Sequence, residues 1–335
     1  MVVNPVFSVA TPRPEGARLL ADVGGTNARF AWQAGPGQPP SRVRVLPCAD
    51  HPSLQAAMHA YLTGVGLGVP RQVAIAIANP ITGDQVRMTN HHWSFSQREV
   101  QREFALDTLL LLNDFTALAL ALPALPTGDL RQVGGGVART GAACGLVGAG
   151  TGLGVSGLLP DGRGGWVPLQ GEGGHVTLPA ETPRERLVMA GLQRRYGHAS
   201  AERALCGQGL LDTWHLLCET DGVSSQSCTT PAEVTAAALA GHIPQAVEAL
   251  TLFCALLGSV AGNLALTLGA HGGVYIGGGI VPRLGQWFDA SPFRTRFEAK
   301  GRFAPLLQGI PVWVITAETS PALLGAARAL DAAEG

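Results

Sequence analysis

The chain has 335 residues, of which 46% are apolar and 14% charged, and its 23 basic side chains nearly balance its 24 acidic ones. At about 100–200 residues per domain, this length predicts two domains. The low charge and high apolar content exclude a disordered chain, and a net charge of -1 argues against a nucleic-acid binder held by broad electrostatics. The longest apolar stretch, 109–125, is interrupted by Asn113, Asp114 and Pro123, so we expect no membrane span.

The basic residues and cysteines exclude further kinds of nucleotide and metal site. Lys300 is the only lysine, and it lies outside any Gly-Lys-Ser/Thr sequence. A P-loop is therefore excluded, and a nucleotide would have to be held by backbone amides, other side chains and a metal. The six cysteines form no C-x-C or C-x-x-C pair, and residues 1–16, expected to be a flexible leader, show no secretory pattern. We therefore expect reduced thiols, a cytoplasmic location and no zinc site.

The first part of the chain is predicted to contain mainly strands and turns. Strands are expected at 17–22, 28–33 and 72–78, followed by a turn cluster at 79–84. A capping box from Ser96 to Glu99 predicts a helix that ends at Phe104. Buried strands are expected at 108–112 and 144–149, with a helix at 115–122 after the first of them.

Helices dominate the second part. Thr182-Pro183 with Glu185, and Thr230-Pro231 with Glu233, each combine an N-cap, an N1 proline and an N3 carboxylate. A long helix is predicted from 244 to 268, strands at 273–276 and 312–316, and a last helix after Ser320-Pro321. This alternation of strands and helices predicts an α/β protein with two sheets.

Three glycine-rich turns follow predicted strands, at 24–26, 148–154 and 277–279. Glycine lets successive amides point into one concavity that binds an anion. One such turn is equally typical of a plain hairpin, but three favour phosphate binding. The first two turns resemble each other, which predicts two related lobes that face each other across a cleft. Asp22 would repel phosphate, so its expected role is to orient Mg²⁺ or its waters.

The run from Gly152 to Gly157 matches G-x-G-x-x-G, with Glu172 twenty residues beyond Gly152. A dinucleotide site needs the last glycine to open a helix. Residues 155–159 are instead typical of a strand, and 160–162 of a hairpin turn. We therefore reject the dehydrogenase interpretation.

Four polar residues are candidates for chemistry on a ligand. Asp114 follows a predicted buried strand, although it could equally be the N-cap of the next helix. Glu172 and His175 lie in a small, polar loop that offers no packing benefit. Glu202 follows Ser200 in the first turn of a helix, where a carboxylate also suits the helix dipole, so alone it indicates little.

Several motifs recur in order from about residue 18 to the end of the chain, and together they resemble the bacterial ATP-dependent glucokinase family. This family lies in the superfamily of hexokinase, actin and Hsp70-type ATPases. The matching runs are Asp22–Arg29 (DVGGTNAR), Pro80–Asp84 (PITGD), Met88–Asn90 (MTN) with Trp93, Asn113–Thr116 (NDFT), Gly148–Gly154 (GAGTGLG), Gly171–Val176 (GEGGHV), Ser200–Arg203 (SAER), Gly262–Ala265 (GNLA), Gly277–Arg283 (GGGIVPR) and Lys300–Phe303 (KGRF).

The resemblance implies a two-lobed actin-like ATPase fold of the α/β class. Each lobe would be a mixed β-sheet flanked by helices, with the active site in the interlobe cleft. The small domain would comprise 17–124 and 317–335, and the large domain 125–316. It also implies a cytoplasmic homodimer that acts in glycolysis.

The resemblance further implies that Asp114 is the general base on the 6-hydroxyl of glucose. Asn113, Glu172, His175 and Glu202 would bind the other hydroxyls. Asp22 would hold Mg²⁺ through water. The residues expected to bind ATP are Asp22, Gly24, Gly25, Thr26, Asn27, Gly150, Thr151, Gly152, Gly277, Gly278 and Gly279.

Four alternatives stay open on the sequence. A kinase of the repressor-related class would carry a C-x-C-G zinc cluster after the Gly-Glu-x-Gly-His motif, but no cysteine lies between 144 and 206. A kinase for mannose or fructose would use the same kind of site. A non-catalytic sugar and nucleotide sensor has no use for Asp114 as a base, and an actin-like assembly ATPase has no use for a sugar-binding set.

Overall fold

The computed structural model describes residues 15–79, 81–88 and 91–334, which form two compact units. Unit 1 comprises the described residues up to Leu125 and those from Thr319 onward, and unit 2 is Pro126–Glu318. Most of the expected leader at 1–16 lies outside the described residues, as do Pro80 of the predicted turn cluster and Thr89-Asn90 of the MTN motif. The domain limits inferred from the resemblance stay a prediction.

The strands form two large sheets and a small ribbon in the described part of the chain. Those of unit 1 are β1 (Arg18–Val23), β2 (Asn27–Gln33), β3 (Ser41–Pro47), β4 (Gln72–Ile77), β5 (Gln85–Arg87), β6 (Ser94–Ser96) and β7 (Thr108–Asn113). Those of unit 2 are β8 (Leu130–Gln132), β9 (Cys144–Ala149), β10 (Leu153–Pro160), β11 (Trp166–Pro168), β12 (Gly273–Gly277) and β13 (Val312–Ile315).

The helices flank these sheets. Unit 1 contains α1 (Leu54–Val65), α2 (Gln97–Glu103) and α3 (Asp114–Ala121). Unit 2 contains α4 (Pro183–Tyr196), α5 (Ala201–Ala204), α6 (Gly207–Asp221), α7 (Pro231–Ala240), α8 (Pro244–Leu268), α9 (Val281–Leu284), α10 (Gln286–Ala290), α11 (Phe293–Glu298) and α12 (Ala304–Gln308). The final helix α13 (Pro321–Glu334) returns to unit 1, where it contacts α3, β1 and β4.

The two large sheets share one strand pattern. The order is β3-β2-β1-β4-β7 in unit 1 and β11-β10-β9-β12-β13 in unit 2, where β8 adds an edge strand. In both, the first three strands are antiparallel and the last two continue parallel to the third. The similarity of the two halves that the repeated glycine turns predict is confirmed in this topology. The β5-β6 ribbon is a third sheet that the sequence did not predict.

The strongest local signals give the predicted helices. Thr182 Oγ1 accepts the Glu185 N–H at 3.2 Å, and Glu185 Oε2 accepts the Thr182 N–H at 3.1 Å. These two hydrogen bonds form a capping box at the start of α4. Thr230 and Glu233 form the same reciprocal pair in front of α7. The predicted long helix is α8, which ends at Gly269 in the left-handed conformation.

Two expectations about apolar segments are wrong. The strand β7 was predicted to be buried, but all its residues are half-buried because it is the edge strand of its sheet. The segment 109–125 is not the longest apolar stretch, since α8 carries no charged residue from 249 to 268. Among the described residues α8 alone is long and apolar enough to cross a membrane, but most of its side chains are buried in unit 2, as in a core helix.

Candidate active site

In unit 1, the candidate residues lie at the same end of the sheet, where the parallel strands terminate. The parallel strands β1, β4 and β7 are in register, with Val23 opposite Ile77 and Ile77 opposite Asn113. Asp22, the turn at 24–27 and the Asn113-Asp114 pair therefore all lie at the carboxyl ends of parallel strands, where α/β sheets bind ligands. Two strand spacings separate β1 from β7, which is about 10 Å.

The first glycine turn is held by its own backbone. The Gly24 N–H donates to the Asn27 carbonyl at 3.0 Å, and the Cys48 N–H donates to the Thr26 carbonyl at 2.8 Å. Within the described residues, the N–H groups of Gly25 and Thr26 have no acceptor. Gly24 therefore shapes the turn, and Gly25 and Thr26 supply the amides that can meet an anion.

Asp22 lies beside this turn, and its side chain is 13% exposed. Its Oδ2 is 3.3 Å from Arg29 Nη1, a contact that the sequence did not predict. The Arg29 guanidinium holds the carboxylate at the edge of the turn, next to the amides that can receive phosphate.

Asn113, not Asp114, is the N-cap of α3. Its Oδ1 accepts the N–H groups of Phe115 at 2.9 Å and Thr116 at 3.3 Å. The interpretation of Asp114 as the cap is therefore wrong. Asp114 occupies the first helical position, is half-buried, and its Oδ1 accepts the Phe115 N–H at 2.9 Å. A rigid strand end and a helix start thus fix the Asp114 backbone on both sides, and an anionic side chain suits this position.

The second and third glycine turns, at 148–154 and 277–279, both lie in unit 2 and contact each other through their backbones. The parallel strands β9 and β12 place Gly148 opposite Gly277, and the Ile280 N–H donates to the Ala149 carbonyl at 3.2 Å. The Gly150 N–H closes its own turn on the Gly152 carbonyl at 2.8 Å, as Gly24 does in unit 1. Thr151 and Gly152 have N–H groups without an acceptor in the part of the chain that the structure describes.

Glu202 reaches the same turn from α5. Its half-buried side chain accepts the Leu153 N–H on Oε2 at 3.0 Å. The Gly207 N–H, at the start of α6, donates to the Gly150 carbonyl at 3.0 Å. The structure thus brings a predicted sugar ligand into direct contact with a predicted phosphate turn.

Glu172 and His175 lie close to these elements. The short 3-10 helix Gly173–His175 contacts β10 and α5, and the Ala201 N–H donates to the Val176 carbonyl at 2.8 Å. The His175 N–H donates to the Glu172 carbonyl at 3.0 Å, and both side chains are exposed. Exposed acidic and imidazole groups on a fixed turn can exchange hydrogen bonds with a polar ligand.

The donor set fits a magnesium ion that arrives with its nucleotide. Among the described residues there is no group of three or more His, Cys, Asp or Glu side chains that could hold a metal. Mg²⁺ keeps several waters and takes one or two carboxylates plus substrate phosphates. The single carboxylate of Asp22, beside a turn with two available amides, matches that requirement.

The rejected dinucleotide motif is a strand, as predicted. Gly152 to Gly157 runs from the turn into the middle of β10, which pairs with β9 on one side and β11 on the other. There is no helix N-terminus for a pyrophosphate at Gly157, so the rejection of a dehydrogenase site is confirmed.

Comparison with known proteins places this geometry in a family. The family model described as Glucokinase matches residues 19–333. The chain belongs to the glucokinase family. The glucokinase of Aromatoleum aromaticum is 56% identical over 315 residues, covering 94% of both chains. A bifunctional protein glk of Burkholderia pseudomallei is 51% identical over 319 residues, 95% of this chain, and this chain spans about half (49%) of its length.

A solved glucokinase structure from an Antarctic psychrotroph has the same fold. It is 33% identical, its TM-score is 0.86, and the match covers 95% of this chain and 99% of that one. The predicted resemblance to the glucokinase family and the actin-like ATPase fold are confirmed. The chain is accordingly an ATP-dependent hexose kinase of this family, and the repressor-related alternative is not supported.

One residue of this region that the sequence analysis did not identify is Cys206. Cys206 is the N-cap of α6, and its Sγ accepts the Gly209 N–H at 3.3 Å. Burial raises the pKa of this thiol, and the nearby Glu202 charge adds to the rise although the Gly209 N–H opposes it. A cysteine followed by Gly-x-Gly is a weak cap signal, so only the fold reveals that it starts the helix next to the phosphate turn.

Proposed function

We propose that the chain transfers the γ-phosphate of ATP to the 6-hydroxyl of glucose, giving glucose 6-phosphate and ADP. One observation supports this most directly. In each unit a glycine turn with available amides follows a strand, and a carboxylate lies beside the turn: Asp22 in unit 1 and Glu202 in unit 2. Because the chain belongs to the glucokinase family, we infer that these groups serve phosphoryl transfer from ATP to a hexose.

Unit 2 supplies the groups for sugar recognition. A hexose presents a ring of hydroxyls that both donate and accept hydrogen bonds. Glu172 and Glu202 can accept from such hydroxyls, and the His175 imidazole can donate or accept. We propose that Asn113 binds a sugar hydroxyl through its Nδ2 donor, since its Oδ1 is used to cap α3. A site built from hydrogen-bond partners rejects a hexose that leaves one of them unpaired.

Each unit contains a glycine turn with amides that can bind phosphate oxygens. We propose that the amides of Gly25, Thr26, Thr151 and Gly152 bind phosphate oxygens, and that the Gly277–Gly279 turn contacts the nucleoside. Without a P-loop lysine, charge must be balanced by a metal. Mg²⁺, held by Asp22 through water, would neutralise charge on the phosphates when it is bound.

Asp114 is proposed as the general base. The 6-hydroxyl must lose its proton as it attacks phosphorus, so a carboxylate is required within hydrogen-bond distance of that oxygen. Asp114 combines a half-buried carboxylate with a backbone fixed by β7 and α3. The positioning of the base, rather than a covalent intermediate, then carries the chemistry.

The test is a coupled assay of glucose, mannose, fructose and galactose with ATP and Mg²⁺. We expect the highest kcat/KM with glucose, and a product whose phosphorus NMR signal couples to the C6 protons. A higher kcat/KM with mannose or fructose would make the chain a kinase for that hexose. Binding of glucose and ATP without turnover would identify a sensor.

We also propose that the chain acts in the cytoplasm, in glycolysis, as a homodimer. All six cysteines are buried free thiols, which suits a reducing compartment. Fractionation of cells with an antibody tests the location, and sedimentation equilibrium tests the dimer. A membrane-bound fraction or a monomer at micromolar concentration would contradict these assignments.

A further inference from the structure

The Glu202 side chain is hydrogen-bonded directly to the Gly150–Leu153 turn. The turn has one internal bond, from the Gly150 N–H to the Gly152 carbonyl at 2.8 Å. Two further bonds come from outside: the Leu153 N–H donates to Glu202 Oε2 at 3.0 Å, and the Gly207 N–H donates to the Gly150 carbonyl at 3.0 Å. The geometry of the turn therefore depends on where the Glu202 carboxylate is.

The space beside the turn is filled by that carboxylate. A Cβ added at Gly152 would lie 2.6 Å from Glu202 Oε2 and 3.4 Å from its Cδ. At Gly150 the nearest atom to an added Cβ is Gly279 N, at 3.9 Å, which is an ordinary contact. A Cβ at position 152 would thus displace the Glu202 carboxylate from its place beside the Leu153 amide, whereas a Cβ at position 150 would not.

We propose that Glu202 is a positioning residue for the phosphate turn as well as a sugar ligand, so that sugar binding and nucleotide binding are energetically coupled through the Leu153 N–H. This rests on the proposed function, in which Glu202 binds a sugar hydroxyl. One carboxylate oxygen holds the Leu153 amide and the other meets the sugar. A bound sugar fixes the side chain, and the nucleotide then meets a turn that is already ordered.

Coupling of this kind is reciprocal. If glucose tightens nucleotide binding by some factor, the nucleotide must tighten glucose binding by the same factor. If Glu202 only binds sugar and Gly152 only binds phosphate, then each substitution affects its own ligand and the factor does not change. The two cases are therefore distinguished by the factor rather than by either affinity alone.

The experiment is isothermal titration of glucose into the full chain, with and without a non-hydrolysable ATP analogue and Mg²⁺. The ratio of the two glucose Kd values is the coupling factor, which we expect to be roughly 5 to 150 in the wild type. E202A should bring it close to one. E202Q should keep most of it while weakening glucose binding, because a glutamine carbonyl still accepts the Leu153 N–H.

The glycine variants separate position from charge. G152A keeps the carboxylate but displaces it, so we expect glucose binding to weaken roughly tenfold and the coupling factor to fall toward one. G150A is the matched variant in the same turn, and we expect it to weaken nucleotide binding but to keep the glucose Kd and the factor. If G152A does not fold, as judged by circular dichroism, the E202A and E202Q pair decides.

Either of two results would overturn the proposal: a wild-type coupling factor in E202A, or weakening of the nucleotide alone in G152A. Failure of the proposed function would look different. A wild-type chain that binds glucose but never phosphorylates it would refute the reaction and leave the coupling intact. A chain that phosphorylates glucose with a wild-type coupling factor of one would refute the coupling alone.

Discussion

The contact of the second and third glycine turns leads to a quantitative prediction for Gly278→Ala. Gly278 has φ +78°, a conformation that residues with a Cβ rarely adopt. A Cβ added there would also lie 2.3 Å from the Ala149 carbonyl oxygen and 2.7 Å from its carbon. These are backbone atoms at the end of β9, so the neighbour cannot rotate away.

The expected cost follows from both effects. A left-handed conformation costs an alanine about 1 kcal/mol, and overpacking against a fixed neighbour adds about 1–3 kcal/mol. We therefore expect G278A to lower the free energy of unfolding by about 3 kcal/mol. At 2–4 °C per kcal/mol for a unit of this size, Tm should fall by about 6–12 °C.

The matched control is Gly279→Ala, one residue further along. Gly279 has no positive φ, and nothing lies within 4 Å of a Cβ added there. Differential scanning calorimetry of both variants should show a Tm close to wild type for G279A and the predicted fall for G278A. Equal Tm values for the two variants, or a fall below 2 °C for G278A, would refute the packing of these turns.

Two further predictions concern buried charges. Burial alone would raise the pKa of Glu185, but hydrogen bonds from Arg296 and backbone N–H groups outweigh it and hold the pKa below its usual value. The stabilisation is thus complete above the unfolded pKa of about 4.3 and is lost as the pH falls through the lower folded pKa. E185Q should therefore cost about 2–3 kcal/mol at pH 7, and in urea titrations this deficit should shrink progressively as the pH falls below about 4. A deficit that is independent of pH would contradict this. Arg18, whose side chain is fully buried, pairs with Asp331 and Glu334 of α13, which are 42% and 44% exposed. R18L should therefore lower the free energy of unfolding by about 2 kcal/mol and D331N by less than 1, as measured in guanidinium, and the reverse order would show that the exposed partner matters more.

Local sequence signals predicted the elements that depend on neighbours in the chain. The capping boxes at Thr182 and Thr230 gave the starts of α4 and α7, and Gly269 gave the end of α8. The helix α1 was missed although its signals are present: Ser53 caps it, and Gly66 ends it in the left-handed conformation. Its weaker feature is its first turn, where Leu54 stands at N1 instead of a proline and Ala56 at N3 instead of a carboxylate.

Burial and edge position could not be predicted, because they depend on the order of strands in the sheet. The strand β3 alternates Arg and Val, a pattern that predicts one buried apolar face. Val43 and Val45 are nevertheless exposed, since β3 is an edge strand of the five-stranded sheet. The leucine run at 109–112 predicts a buried strand, but β7 is the other edge of the same sheet and is half-buried. A sequence shows how apolar a strand is, not how many neighbours cover it.

The candidate site, too, could be predicted only in part from the sequence. The polar loop around Glu172 and His175 indicated a ligand site because it offers no packing benefit, whereas Asp114 and Glu202, which could also serve a helix start, were identified only through the family's motifs. What holds them could not be found from the motifs. The bond from the Leu153 N–H to Glu202 joins residues 49 positions apart. It depends on the 3-10 helix Gly173–His175, which contacts both β10 and α5.

The central claim is that Asp114 removes the proton of the 6-hydroxyl. Its most direct test is rapid-quench measurement of glucose 6-phosphate formation by D114N, with D107N as control. Asp107 immediately precedes the same strand at its other end and is an exposed partner of Arg71. We predict that D114N binds glucose with a Kd within a few-fold of wild type but forms product roughly 10²–10⁴-fold more slowly, while D107N matches wild type. A D114N rate within tenfold of wild type would show that the base is another residue.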